Sequence, residues 1–471
     1  MDRGRTGTLI AMCLGTFMAI LDTSLVNLGL HAIRADLKAD LSALQWVVDA
    51  YNLVYAVLIL TGATLADLYG RRRLFLAGTG LFAVGSLVCA AAPSIGVLVT
   101  GRGIAGLGAA CELPAALAIL NLSFPEADER VRAVAIWGGM NGLAMAIGPT
   151  IGGLLVDAFG WRSLFYGILP VCAATLLLAA GFVPESEDRQ GRHLDLPGQF
   201  LGIVALGALS FGFIEGPGWG WRSWPVMACF AAAFAGGVLF VVVERKTTSP
   251  LVPLAIFRNR AFSAAVADAA LMTFGMYGLL FVLPLYLQAV RGQAATLAGI
   301  ELLPMSLTFF LVSPVAGTVA TKLGPRILVT VGMALTGAGV FVLAGLSQSS
   351  PYGTIALALL AVGLGLGLIT GPIATAAVAN APIERSGMSS GLVNVGRMVG
   401  ATLGVAILGI VFGTRAEAAA ADPAQFLHGM RTAFLIGGLA QVAGAAVAIL
   451  CFRRDSLETK SPRGGATLLR N

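Results

Sequence analysis

Fourteen apolar runs, each of roughly 18–25 residues, follow one another from end to end of this 471-residue chain. They cover 7–29, 45–66, 74–93, 95–118, 131–155, 163–183, 194–214, 224–244, 261–287, 295–320, 326–347, 353–378, 388–413 and 432–452. At ~1.5 Å per residue, about 20 helical residues cross a ~30 Å hydrocarbon core. Lipid offers no hydrogen bonds, so each run must close its own backbone ladder as a helix. Composition agrees: 57% of residues are hydrophobic and 11% charged, against roughly 25% charged in soluble domains. The expected fold class is therefore an all-α polytopic membrane protein.

An even number of spans leaves both termini on one side. Twenty-one Lys and Arg residues fall on that side and seven on the other. The positive-inside rule makes the first side the cytoplasm and the expected location the inner cell membrane. The net charge of +6 is thus loop charge, and no nucleic-acid partner is expected. Cys13, Cys89, Cys111, Cys172, Cys229 and Cys451 lie in apolar runs without ligand spacing, and read as small buried hydrophobes. His31, His193 and His428 are far apart, so no metal site is expected. The first run carries Asp22 and lacks a convincing cleavage site, so it reads as the first helix and not as a signal peptide.

A weak internal repeat divides the chain. Ala63-Thr-Leu-Ala-Asp67-Leu-Tyr-Gly70-Arg71-Arg72 follows the second run, and Gly317-Thr-Val-Ala-Thr321-Lys322-Leu-Gly324-Pro-Arg326 follows the tenth. The expected organisation is a six-helix bundle over 1–183, two inserted helices with linkers over 184–260, a second six-helix bundle over 261–452, and a disordered tail over 453–471. Parallel repeats of this kind mark secondary transporters, whose substrate site lies between the repeats near mid-depth.

Ionisable groups inside spans are costly and point to function. Asp22 lies roughly 22 Å along the first helix and Arg102 roughly 10 Å into the oppositely running fourth, at ~1.5 Å per residue. Their depths agree, so they are expected to pair. Arg102 would favour the carboxylate and burial the neutral acid, a balance that lets Asp22 exchange protons; the alternative is a static ion pair. Glu112, Asp268, Arg397 and Asn27 are candidates for a substrate site or a second proton site. Glu112 could instead face a water-filled vestibule, and Asp268 could snorkel to the interface. Asp49, one turn from the end of its run, is expected to meet water. Pro149 should kink the fifth helix, where Gly148, Gly152 and Gly153 let a neighbour approach.

These residues resemble the major facilitator superfamily, in its fourteen-helix drug:proton antiporter branch. The resemblance covers essentially the whole chain. Leu21-Asp22-Thr23-Ser24-Leu25-Val26-Asn27 is similar to the branch's first-helix signature, which implies that Asp22 takes up protons. Asp67, Gly70, Arg71 and Arg72 match the loop motif that latches the two halves in the outward-open state. Arg102-Gly-Ile-Ala-Gly-Leu-Gly108 matches the fourth-helix motif tied to proton transfer, and Gly148 to Gly153 the fifth-helix antiporter motif. Ala63, Leu68 and Ala144 depart from those patterns, and the position of Glu112 is ordinarily apolar. Ile214 to Trp221, Pro250 to Phe262 and Ala298 to Pro304 resemble antibiotic self-resistance exporters of the methylenomycin A type.

The resemblance implies a proton-coupled antiporter exporting drugs, antibiotics or related amphipathic molecules. The proton gradient would supply the energy, with no cofactor, and the chain would act as a monomer. A second reading is export of one metabolite, such as an amino acid, sugar or siderophore. No nucleophile–base set speaks for an enzyme, and no soluble output domain for a sensor.

Overall fold

The computed structural model describes residues 3–188, 194–380, 386–416 and 423–452. They form fourteen helices long and apolar enough to cross a membrane. These are α1 (Arg3–Leu37), α2 (Leu41–Tyr69), α3 (Arg71–Ala90), α4 (Ile95–Ser123), α5 (Ala127–Phe159), α6 (Arg162–Phe182), α7 (Leu196–Trp219), α8 (Trp224–Lys246), α9 (Arg260–Val290), α10 (Ala295–Ala320), α11 (Pro325–Ala344), α12 (Tyr352–Ala379), α13 (Ser386–Ala416) and α14 (Pro423–Cys451). The side on which α1 begins is here the near face, and the opposite side the far face. The expected tail over 453–471 lies outside the described residues.

Short polar signals separate the spans. Asp40 caps α2 by accepting from the Ala43 N–H at 2.8 Å, Asp195 caps α7 through Gly198 at 2.9 Å, and Asn259 caps α9 through Ala261 at 3.0 Å. Gly70 has φ +107°, a conformation open to glycine, and breaks α2 from α3 in one residue. The first backbone N–H groups of α3 find an anion: Glu185 accepts from the N–H of Arg72 and of Arg73, each at 3.1 Å.

Helices α1–α6 pack among themselves, and so do α9–α14. The two sets repeat one packing scheme. Gly78 of α3 lies against the Gly108 carbonyl and the Glu112 backbone of α4. Gly332 of α11 lies in the same way against Gly365 and Ile369 of α12. Further along the same pairs, Gly85 meets Gly101 and Ala105, and Gly339 meets Ala358 and Val362. Glycine at these points lets two backbones touch, which is the main source of helix association in lipid.

Helices α7 and α8 pair with each other, and α7 also packs on α2 and α13. Three polar contacts bind α7 to α2: Gln199 donates to the Val57 carbonyl at 2.7 Å, Thr61 bonds Gln199, and the Trp46 indole donates to Glu215 at 2.8 Å. Most of α8 faces outward, with Trp224, Phe234 and Leu239 exposed.

Candidate functional site

The bundle interface sets the frame. Its direct polar ties lie toward the far face. The Asp157 carboxylate of α5 accepts from the N–H groups of Ala295 and Thr296 at 3.1 and 2.7 Å, capping α10 of the opposite bundle. Gln288 of α9 donates to the Leu28 carbonyl of α1 at 3.2 Å. Gln45 of α2 donates to the carbonyls of Val405 and Ala406 in α13 at 2.9 and 3.0 Å. Between these ties sit the glycines of α5. Gly148 lies against Ser24 and Gly152 against Leu25, both on α1, while Gly153 lies against Ala295 of α10. Gly299 of α10 in turn meets the Pro149 carbonyl. Pro149 and Gly153 therefore seal the bundle interface against α10 at the far side, backbone touching backbone, while Gly148 and Gly152 pack on α1 of their own bundle.

Below this seal, the structure brings Asp22 and Arg102 together. Both are 1% exposed, and an Arg102 Nη1–H donates to Asp22 Oδ2. Arg102 Nε–H donates to the Val47 carbonyl of α2 at 2.9 Å. The guanidinium lies over the Tyr51 ring, 4.7 Å from its centroid. The Tyr51 hydroxyl donates to the Ala19 carbonyl at 3.3 Å, tying α2 back to α1. Three helices thus hold one ion pair at mid-depth. Gly106 of α4, pressed against the Tyr51 backbone, allows the approach. Nothing in the sequence marks Tyr51 or Val47. An aromatic beside an apolar residue in a hydrophobic run carries no signal of its own.

Asn27 does not join this cluster. Its amide donates to Thr23 of its own helix at 2.9 Å, and its Oδ1 has no hydrogen-bond partner. Asp67 and Arg71 pair at 2.6 Å within the first bundle, and the 184–188 strand of chain runs beside them. There Ser186 accepts from Arg71 N–H at 2.9 Å, and Asp188 N–H donates to Asp67 at 2.8 Å. Arg72 bonds the Ala180 carbonyl at 2.5 Å.

Arg397 of α13 is partly buried. It donates to the Thr370 carbonyl of α12 at 3.1 Å, and its Nε has no hydrogen-bond partner. Among the described residues it forms no ion pair with a carboxylate; Tyr55 of α2 and Tyr277 of α9 are near enough to interact with it electrostatically. Tyr277 also faces Thr23 across the bundle interface.

One expectation, for Asp49, and two of the alternatives, for Glu112 and Asp268, need correction. Asp49 does not meet water: it is fully buried, because Ser210 of α7 and Thr402 of α13 close over it. Glu112 does not face a vestibule: it is fully buried among α1, α3 and α4. Asp268 does not snorkel: it is fully buried, with Oδ1 toward Gly444 of α14. In each case a helix remote in sequence covers the carboxyl, and hydropathy along one span cannot see it. A 510 Å³ depression lined by Asp40, Trp46, Ile95 and Glu215 lies at the far end of α2.

Residues 12–405 match the family model of the Major Facilitator Superfamily. The chain is 42% identical over 414 residues to the multidrug resistance protein Stp of Mycobacterium tuberculosis, covering 87% of this chain and 76% of that protein. It is 34% identical over 436 residues to the methylenomycin A resistance protein of Streptomyces coelicolor, covering 93% and 90%. Among solved structures, a POT family transporter bound to a thioalcohol-conjugated peptide aligns with a TM-score of 0.69 at 15% identity, covering 93% of this chain and 94% of that one. An inward-facing bacterial homologue of the lysosomal transporter Spinster aligns at 0.67 with 17% identity, covering 96% and 97%. At such identities the likeness is one of fold.

Proposed function

We propose, from the premise that this chain belongs to the major facilitator superfamily, that it exports drugs or related amphipathic molecules in exchange for protons. The near face is then the cytoplasm, as the loop charges require, and one chain forms the working unit.

The observation that carries the proton coupling is the Asp22–Arg102 pair, held out of water by three helices. A proton added to Asp22 turns the carboxylate into a neutral acid and leaves Arg102 without its counter-charge. Arg102 keeps the Val47 carbonyl and the Tyr51 ring, but a buried charge stripped of its partner costs several kcal/mol. That cost biases the α1–α2–α4 contact between two arrangements. Each proton moving down a 100 mV potential contributes ~2.3 kcal/mol, enough for roughly fifty-fold accumulation at ~1.4 kcal/mol per tenfold.

The relatives support the choice of cargo: Stp and the methylenomycin A protein carry resistance names. In this chain Tyr55, Tyr277 and the unpaired edge of Arg397 stand between the bundles. They supply aromatic faces and one donor to a bound molecule. The Arg397 donor also favours a second reading, in which the cargo is a single metabolite bearing an acceptor or anionic group.

The decisive experiment is pH-driven efflux of a lipophilic dye from everted membrane vesicles, comparing wild type with Asp22→Asn. The variant should fall to background while remaining folded by gel filtration. Full proton-driven efflux by Asp22→Asn would remove Asp22 from the mechanism. A wild type that moves one polar metabolite and no lipophilic compound in a susceptibility panel would select the second reading.

A further inference from the structure

Among the described residues, three carboxyls inside the spans are fully buried and form no ion pair: Asp49, Glu112 and Asp268. Glu112 is the one whose surroundings say most. A carboxylate removed from water without a counter-charge costs several kcal/mol, so a fold keeps one only where it gains something else.

The second bundle shows that the packing does not require this acid. Gly78 meets Gly108, Cys111 and Glu112 on α4, and Gly332 meets Gly365, Leu368 and Ile369 on α12. The spacing between these contacts is identical in the two bundles. Ile369, 0% exposed, therefore occupies the place that Glu112 occupies in the first bundle. Gly78 touches the Glu112 backbone and Gly332 the Ile369 side chain, so the matching position carries a carboxyl in one copy and a hydrocarbon in the other.

The first bundle has also made room for the carboxyl. Gly15 of α1 lies directly against Glu112 Oε1, so that any Cβ there would strike it. Gly15 is seven residues before Asp22, hence on the same face of α1 and ~10 Å nearer the cytoplasmic end at ~1.5 Å per residue. Glu112 thus points into the α1–α4 seam, two helical turns below the Asp22–Arg102 pair. From α3, Thr79 faces the carboxyl but gives its hydroxyl hydrogen to the Phe75 carbonyl at 3.0 Å. Cys172 of α6 and Tyr55 of α2 are near enough to interact with it electrostatically. Besides Glu112, the charged groups in the buried stretches of the two helices are Asp22 and Arg102, which pair with each other; Arg3, Arg5, Arg34 and Asp36 stand at the ends of α1.

We propose that Glu112 is a second proton-binding carboxyl of the transport cycle, set on the α1–α4 seam between Asp22 and the cytoplasm. It gains a proton on a carboxylate oxygen and gives it up to water on the cytoplasmic side; no other bond changes. This rests on the proton-coupled reading given above.

Two measurements on the full-length protein in lipid vesicles test it. The first needs no substrate: the infrared carbonyl band of protonated carboxylic acids is followed as the buffer is switched from acid to alkaline. Wild type and Asp22→Asn should show a titrating band that Glu112→Gln lacks; an unchanged band in Glu112→Gln overturns the proposal. The second holds an ethidium gradient against a pH gradient and finds the null point. Glu112→Gln should keep downhill ethidium exchange but lose one proton per ethidium, and a wild-type ratio overturns the proposal.

Glu112→Ile, which copies the second bundle, separates a role in proton binding from a role in folding. It should melt at or above the wild-type temperature and show the same loss of one proton. A lowered melting temperature with loss of downhill exchange assigns the acid to structure and overturns the proposal. If the wild-type ethidium gradient ignores pH and Asp22→Asn changes nothing, the coupling reading itself fails. If Asp22→Asn changes the ratio and Glu112→Gln does not, only the present inference fails.

Discussion

In the first bundle Arg102 reaches across α4 to a carboxylate on α1, a carbonyl on α2 and an aromatic ring. Among the described residues of the second bundle, the Arg397 side chain donates only to the Thr370 carbonyl, and Asp268, buried on another helix, forms no ion pair. Both bundles are nevertheless built on one scheme of glycine contacts, repeated from Gly78 and Gly85 to Gly332 and Gly339. The packing repeats between the two sets of helices, while the charges they carry diverge. The first bundle has closed its ion pair among three helices, and the second has left one Arg397 donor without a partner.

The largest effect should come from breaking each cation in turn. Arg102→Ala leaves Asp22 buried without its partner and should destabilise by about 3–5 kcal/mol, as removal of one member of a buried pair does. Arg397→Ala removes a hydrogen bond to a carbonyl and should cost about 1 kcal/mol. Thermal melting in detergent measures both, and equal losses would erase the contrast between the bundles. Next in size are Gly78→Val and Gly332→Val. Each drives a side chain into the backbone of the neighbouring helix, and overpacking of this kind costs about 1–3 kcal/mol. The two variants should lose stability alike; a large difference would show that only one copy depends on the contact. Smaller still is Asp157→Ala, which removes two hydrogen bonds to the N-terminus of α10 at about 1 kcal/mol each. Since these bonds join the bundles only in the arrangement closed at the far face, the variant should shift toward the opposite opening by roughly tenfold or more at ~1.4 kcal/mol per tenfold. Labelling of a cysteine placed at Ser24 with an externally added thiol reagent reads that shift, and labelling no faster than in the parent would exclude Asp157 as a lock.

Much of this was legible in the sequence. The number of spans, their order and the sidedness of their loop charges follow from hydropathy, because transfer of a residue into lipid is a nearly local free energy that adds along the chain. The meeting of Asp22 and Arg102 was legible too, because helical rise is constant and depth can be counted from each end. What encloses a side chain was not. Asp49 is expected to be wet by its position near a span end, yet Ser210 and Thr402, remote in sequence, bury it. Nothing in the sequence marks Asp157, yet it caps a helix of the other bundle. Hydropathy fixes depth for each helix separately; which faces turn toward each other is decided by backbone contacts at glycines distant along the chain. Only the tertiary structure brings those together, and with them the difference between a carboxyl that has a partner and one that has none.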